Sequence, residues 1–216
     1  MSQITIIGPA YTKDAAQYKR LMDTAAKVGA PHPKLFGIGE IHPGDDAVID
    51  IAIRVIRECD TPYVMGTDTY DTMFCRWDEA EIIEAINKAP RNVIYACEAH
   101  CWPSGEWCAA YTHSGIWRHA NGGGCCGERE ALADLFEKTK KFTDTANTQE
   151  RLHRHYAEYR FGLDVHCRIF QSMSGPGHTE WQDGMVNTVE GTRPMLAHWN
   201  GRTPGIDTWY EKVMGS

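Results

Sequence analysis

Two carboxylates stand three residues apart in Val64-Met-Gly-Thr-Asp68-Thr-Tyr-Asp71, directly after an apolar run that reads as a buried strand. On an extended strand, positions i and i+3 face opposite ways. Asp68 and Asp71 therefore converge only if the strand has ended and the chain turns there. A turn at the C-terminal end of a strand in an α/β sheet is where a divalent cation and a diphosphate would sit. Hard carboxylate oxygens suit Mg²⁺ or Mn²⁺. His198 follows the short apolar run Met195-Leu-Ala and precedes the turn signal Asn200-Gly201, so it could add a neutral imidazole ligand. Taken singly, a solvated turn aspartate and a structural histidine are the plainer readings.

Two further stretches could do chemistry. Glu98-Ala-His-Cys-Trp102-Pro103 follows a strand-like run, Val93 to Ala96. Asn121-Gly-Gly-Gly-Cys-Cys-Gly127 is glycine-rich but lacks the Gly-Lys-Ser/Thr of a phosphate loop. Its glycines would instead let backbone approach a ligand closely.

The elements that must position these groups follow from periodicity. Strands are expected at Ile4–Ile7, Lys34–Ile38, Pro62–Gly66 and Val93–Ala96. Helices alternate with them, from Thr12 or Asp14 to about Lys27, from Asp45 or Asp46 to about Arg57, and from Asp78 onward. That alternation predicts a parallel, doubly wound α/β sheet. Residues 101–126 show little periodicity. Helices are expected over about 127–141 and 147–160, and a strand at Val165–Phe170, followed by a loop-rich remainder with a Gly175-Pro-Gly177 turn.

The chain has 216 residues, 42% of them apolar and 24% charged, with net charge −7. Length points to one domain, and composition excludes a disordered or fibrous chain. The acidic balance argues against a non-specific nucleic-acid binder. No run approaches the ~18 apolar residues of a membrane-crossing helix, and the first residues lack the basic start of a signal peptide. A cytoplasmic protein with reduced thiols is expected. The eight cysteines then read as free buried thiols, or as a zinc site from Cys97, Cys101, Cys108 and Cys125 or Cys126, whose spacing contains no CxxC pair. Arg151, His153, Arg154 and His155 read as a solvated or weakly acceptor-facing helix face rather than a metal site.

Taken together, Asp68-Thr-Tyr-Asp71, Glu98-Ala-His-Cys-Trp-Pro103, Asn121-Gly-Gly-Gly, Leu163-Asp-Val-His-Cys-Arg-Ile-Phe-Gln171 and His198-Trp-Asn-Gly201 resemble the glycosyltransferase domain of the procollagen lysyl hydroxylases, a procollagen galactosyl/glucosyltransferase-like family. The order and spacing match from Ile4 to about Arg202. The resemblance implies a single-domain type-A glycosyltransferase fold, with a Rossmann-like, mostly parallel sheet flanked by helices. Residues 1–100 would form the nucleotide-sugar half, and 101–216 the half that completes the metal site and meets the acceptor. The implied reaction transfers a hexose from a UDP-sugar, with Mn²⁺ or Mg²⁺ and with retention, to a hydroxyl on a protein, a glycan or a modified nucleobase. No membrane partner is implied.

The same resemblance assigns residues. Asp68, Asp71 and His198 would hold the metal. Tyr70 would lie against the uridine and Thr12 near the nucleotide. Asn200 and Gly201 would bring backbone to the diphosphate. Glu98 and Trp102 would face the sugar or the acceptor. The sequence also departs from the family. His42 stands where a base-stacking Trp is usual, and Asp45-Asp-Ala-Val-Ile-Asp50 replaces a Gly-Gly-Gly-Gln-Lys stretch. Paired aspartates that contact the donor sugar or acceptor align near Asn147-Thr148-Gln149. These departures give an alternative: a UDP-sugar or carbohydrate-binding protein of the same fold that has lost transfer.

Overall fold

The computed structural model describes residues 2–175 and 177–215. Pro176, the centre of the expected Gly-Pro-Gly turn, lies outside them. The chain opens with β1 (Ile4–Pro9), α1 (Lys19–Val28), β2 (Lys34–Phe36), α2 (Asp45–Arg57) and β3 (Tyr63–Thr67). Next come β4 (Thr72–Phe74), α3 (Glu79–Lys88), β5 (Val93–Glu98), β6 (His119–Glu128), α4 (Arg129–Thr139) and α5 (Thr148–Tyr159). The remainder holds β7 (Gly162–Leu163), β8 (Phe170–Ser172), β9 (Thr179–Trp181), β10 (Met185–Asn187), β11 (Leu196–His198) and α6 (Ile206–Gly215).

The main sheet has six strands in the order β2-β1-β3-β6-β5-β7. Only β6 runs against the others. The expected α/β class is therefore present. Successive strand residues face opposite sides: Ile4 and Ile6 join one core, while Ile7 joins the other. On one face α1 and α3 bring Leu21, Ile82 and Ile86 against the sheet. On the other, α2, α4 and α5 bring Ile56, Leu132 and Leu152. Burying each such side chain contributes about 1.5–3 kcal/mol. The helix starts follow local chemistry. Asp78 accepts from Glu81 N at 3.1 Å, and Asn147 accepts from Glu150 N at 3.0 Å.

A second sheet of three strands, β4-β11-β8, packs beside the first. Its pairings are antiparallel for β4–β11 and parallel for β11–β8. This small sheet brings the late chain back to the Asp68–Asp71 turn.

Four expectations are corrected. The stretch read as irregular contains β6, ten residues long and central in the main sheet. The strand expected at Val165–Phe170 is a turn. There the Asp164 carboxylate accepts the N–H groups of Arg168, Ile169 and Phe170 at 3.0, 2.8 and 2.7 Å, which satisfies the backbone locally and delays β8 to Phe170. Cys101 and Cys108 are joined in a disulfide, because a short helical turn after Gly105 folds the loop back and brings their Cα atoms to 6.0 Å. The other six cysteines are free and buried. Finally, Arg151, His153 and His155 are buried rather than solvated: Arg151 pairs with Asp46 of α2, the His153 ring lies between the Tyr111 hydroxyl and the Trp102 carbonyl, and the His155 ring packs against Tyr159 and Phe161.

Candidate functional site

Asp68 leaves β3 and Asp71 enters β4, so the link between the two sheets carries both carboxylates. Two backbone bonds fix that link. Asp68 N donates to Gly123 O of β6 at 3.1 Å, and Trp199 N donates to Asp71 O at 2.8 Å. His198 ends β11 opposite Thr72. Its Nε2 lies 3.4 Å from Asp68 Oδ2 and 3.3 Å from Asp71 Oδ2.

The three residues offer one ligand atom each, all within 4.8 Å of one another. Ligands about 2.1 Å from one octahedral ion stand roughly 3 Å apart. Two carboxylate oxygens and an imidazole nitrogen in this arrangement suit Mn²⁺ or Mg²⁺. No other cluster of His, Cys, Asp or Glu among the described residues has metal-holding geometry, so the cysteine zinc reading finds no support.

The His198 tautomer is set by its other nitrogen. Asn121 Oδ1 accepts Gly123 N–H at 2.9 Å, which fixes which end of the amide faces inward. The same oxygen lies 3.0 Å from His198 Nδ1, so Nδ1 carries a proton toward it and Nε2 is the nitrogen that faces the aspartates. The glycines allow this approach. A Cβ at Gly123 would lie 2.0 Å from the His198 ring.

The charges are coupled. Burial pushes Asp71 up, but the hydrogen bond and charge of His198 outweigh it and hold the carboxyl below its ordinary value. Burial pushes His198 down, yet Asp71 and Asp68 raise it on balance. Asp68 is raised, by desolvation and then by the Asp71 carboxylate. The positive charge of His198 pulls the other way without cancelling them.

Beside the triad, Glu98 closes β5 and is buried. Its Oε2 accepts from Asn200 Nδ2 at 2.9 Å and its Oε1 from Gln149 Nε2 at 3.2 Å. Burial lifts its pKa to about 7, against the opposing hydrogen bonds of Asn121 and Asn200. Gln149 also accepts from Gly122 N at 2.8 Å and thus ties α5 to β6. Asn200 accepts from Ser172 Oγ at 2.8 Å, and Gly201 follows it at φ +68°. Glu98, Gln149, Asn200 and His198 therefore form one connected group.

The remaining expected residues lie further out. Asn147 spends its side-chain oxygen capping α5. Trp102 is 61% exposed on the loop after β5, with its carbonyl bound to His153 Nε2 at 2.9 Å. Thr12 lies just past β1, where its hydroxyl accepts from Asp14 N at 3.1 Å. Tyr70 is exposed between the two aspartates. The His42 ring packs 5.0 Å from the Tyr11 ring. Sequence reasoning missed the roles of Asn121 and Gly123 as supports of His198. Their signal was a glycine run directly behind an asparagine.

A family model described as the PLOD GT domain matches residues 2–205. No curated protein matches the chain. Among solved structures, a glycosyltransferase involved in glycosylation of the major capsid of PBCV-1 superposes with a TM-score of 0.59 at 11% identity, covering 99% of each chain. The galactosyltransferase LgtC, solved with donor and acceptor sugar analogues, gives 0.57 at 10% identity, covering 98% of this chain and 95% of LgtC. Both are similar in fold.

Proposed function

The chain belongs to the PLOD GT domain family, and on that premise we propose that it transfers a hexose from a UDP-sugar to a hydroxyl acceptor, with metal dependence and with retention. The observation that carries this reading is the convergence of Asp68, Asp71 and His198 at one point. A divalent cation held there, Mn²⁺ or Mg²⁺, would offset the negative charge that builds on a departing diphosphate.

The chain's own residues divide the rest. Residues 1–100 receive the nucleotide: Thr12, His42 and Tyr70 surround the base and ribose, and the exposed Tyr70 ring offers a face for stacking. Residues 101–216 complete the metal site and meet the acceptor. The Asn200-Gly201 backbone meets the diphosphate, with Gly201 in the left-handed region that glycine permits. Glu98 and Gln149 face the sugar, and the exposed Trp102 ring serves the acceptor side. With retention, a phosphate oxygen of the donor receives the acceptor's proton, so no separate base is required. The acceptor is a hydroxyl of a protein, a glycan or a modified nucleobase.

No helix among the described residues is long and apolar enough to cross a membrane. A cytoplasmic site of action, expected from sequence, is at odds with the Cys101–Cys108 bond, since disulfides are rare in reducing compartments.

One observation favours a second reading, a sugar-binding protein without transfer. Asn147 stands near the family's paired aspartates and spends its oxygen on a helix cap. UDP release from UDP-glucose and UDP-galactose with Mn²⁺ decides between them. Time-dependent UDP formation supports transfer. Tight binding of the UDP-sugar without any turnover supports the second reading.

A further inference from the structure

β5 joins two different places. It ends at Glu98 in the candidate site and begins at Val93, directly after the short helical turn Pro90–Asn92. At about 3.3 Å per residue those ends stand roughly 17 Å apart. At the Val93 end a cavity of about 240 Å³ opens between α4 and α5, with Arg91, Leu135, Lys138, His155 and Tyr159 in its wall. None of these residues belongs to the donor or acceptor side.

Two of them are uncommitted. His155 is 1% exposed, and neither of its ring nitrogens has a hydrogen-bond partner. A buried polar group without a partner costs the fold free energy, and a bound ligand would supply that partner. Arg91 donates from Nε to Tyr159 O at 2.6 Å, which ties it to α5. Among the described residues no carboxylate pairs with it.

The surrounding charge is positive. Arg91 Cζ, Lys138 Nζ and Lys141 Nζ lie 5.4, 5.6 and 4.8 Å from the centroid of the Tyr159 ring. Lys138 is paired with Asp134, which also lies in the wall, and Lys141 is paired with Glu158. Those pairs cancel and leave the charge of Arg91, in a chain whose net charge is −7. Burial first, and with it the charges of Lys141, Lys138 and Arg91, push His155 down to about 4 against the opposing pull of Glu158.

We infer that this cavity binds a phosphate group, as free phosphate or as a small phosphate monoester, with Arg91 as its counter-charge and His155 as its buried hydrogen-bond partner. Arg91 comes from the turn before β5, Lys138 from α4 and His155 from α5. A tetrahedral phosphate presents oxygens to all three sides at once, whereas a carboxylate presents one edge. The guanidinium fork matches two of those oxygens. Ala131 and Leu135 give an apolar wall for the organic part of a monoester.

Nuclear magnetic resonance on the full chain in EDTA tests it. The histidine ring signals are followed during titration with sodium phosphate and with methyl phosphate, against sodium chloride at equal ionic strength. The expected result is a saturable shift of the His155 signal with phosphate and none with chloride, while the His198 signal stays still. Tighter binding of methyl phosphate assigns a monoester, and equal or tighter binding of the free ion assigns phosphate itself. Arg91→Gly removes the guanidinium and suits the backbone, since Arg91 sits at φ 60°. It should weaken phosphate binding about tenfold or more, as loss of a charge-assisted bond does. If that variant fails to fold by circular dichroism, the wild-type titration still decides. A His155 signal that stays put with both phosphates, or moves as far with chloride, overturns the inference. So does phosphate binding to folded Arg91→Gly as tight as to the wild type.

Discussion

Asn121 Oδ1 accepts the Nδ1–H of His198 at 3.0 Å and so aims His198 Nε2 at Asp68 and Asp71. Asn121 is thus a positioning residue for the candidate metal triad. Asn121→Leu removes the acceptor and frees the tautomer. Mn²⁺ affinity, followed by electron paramagnetic resonance, should fall about 10- to 100-fold, the usual cost of losing such a support. Thermal stability should change far less.

The neighbouring glycine makes a separate prediction. A Cβ at Gly123 would fall 2.0 Å from the His198 ring, so one of the two must move. Gly123→Ala should destabilise the fold by about 1–3 kcal/mol in urea unfolding. It should also abolish Mn²⁺ binding. Gly177→Ala, an equally small change with nothing within 4 Å of the added Cβ, should leave Mn²⁺ binding intact.

Acid should weaken the fold through α5. Burial lowers both His153 and His155 to about 4, and neither ring nitrogen of His155 has a partner. A group whose folded pKa is depressed supports the fold above its unfolded value of about 6.5 and loses that support as pH falls toward 4. Glu98, raised to about 7, works the other way and favours the fold on the acid side of that range. The support that His153 and His155 give is thus lost between pH 6.5 and 4. His155→Phe should be neutral or stabilising at pH 7, because it removes an unpartnered buried polar group. It should also flatten the decline of the urea midpoint with acid. An unchanged slope would contradict this assignment.

Thiol counting checks the covalent topology. With Cys101 and Cys108 bonded, the denatured, unreduced chain should react with six equivalents of a thiol reagent, and the native chain with almost none, since all six free thiols are buried. Eight reactive thiols would contradict the bond.

Much of this arrangement was legible in the residues. The turn argument at Asp68 and Asp71 needed only the alternation of strand side chains, and β4 begins directly after Asp71 as that argument requires. The alternation of apolar runs located β1, β2, β3 and β5 with α1, α2 and α3 between them. β6 escaped because Gly122 to Gly124 carry no strand signature. Three of its glycines answer to tertiary neighbours instead: His198 at Gly123, Phe170 at Gly124 and Val93 at Gly127. The buried histidines of α5 escaped for a related reason. Their charge-bearing type reads as surface, while His153 is held inside by Tyr111 at 2.6 Å and by the Trp102 carbonyl. The Cys101–Cys108 bond depends on a loop whose return no periodicity announces.

The central claim is that Asp68, Asp71 and His198 hold the cation through which a nucleoside diphosphate binds. The most direct test is UDP titration by calorimetry with Mn²⁺, with EDTA, and with Mn²⁺ on Asp71→Asn. The account predicts measurable UDP binding to the wild type with Mn²⁺, and affinity at least 100-fold weaker in the other two cases, a difference of about 2.7 kcal/mol. Equal UDP affinity with and without metal would contradict it.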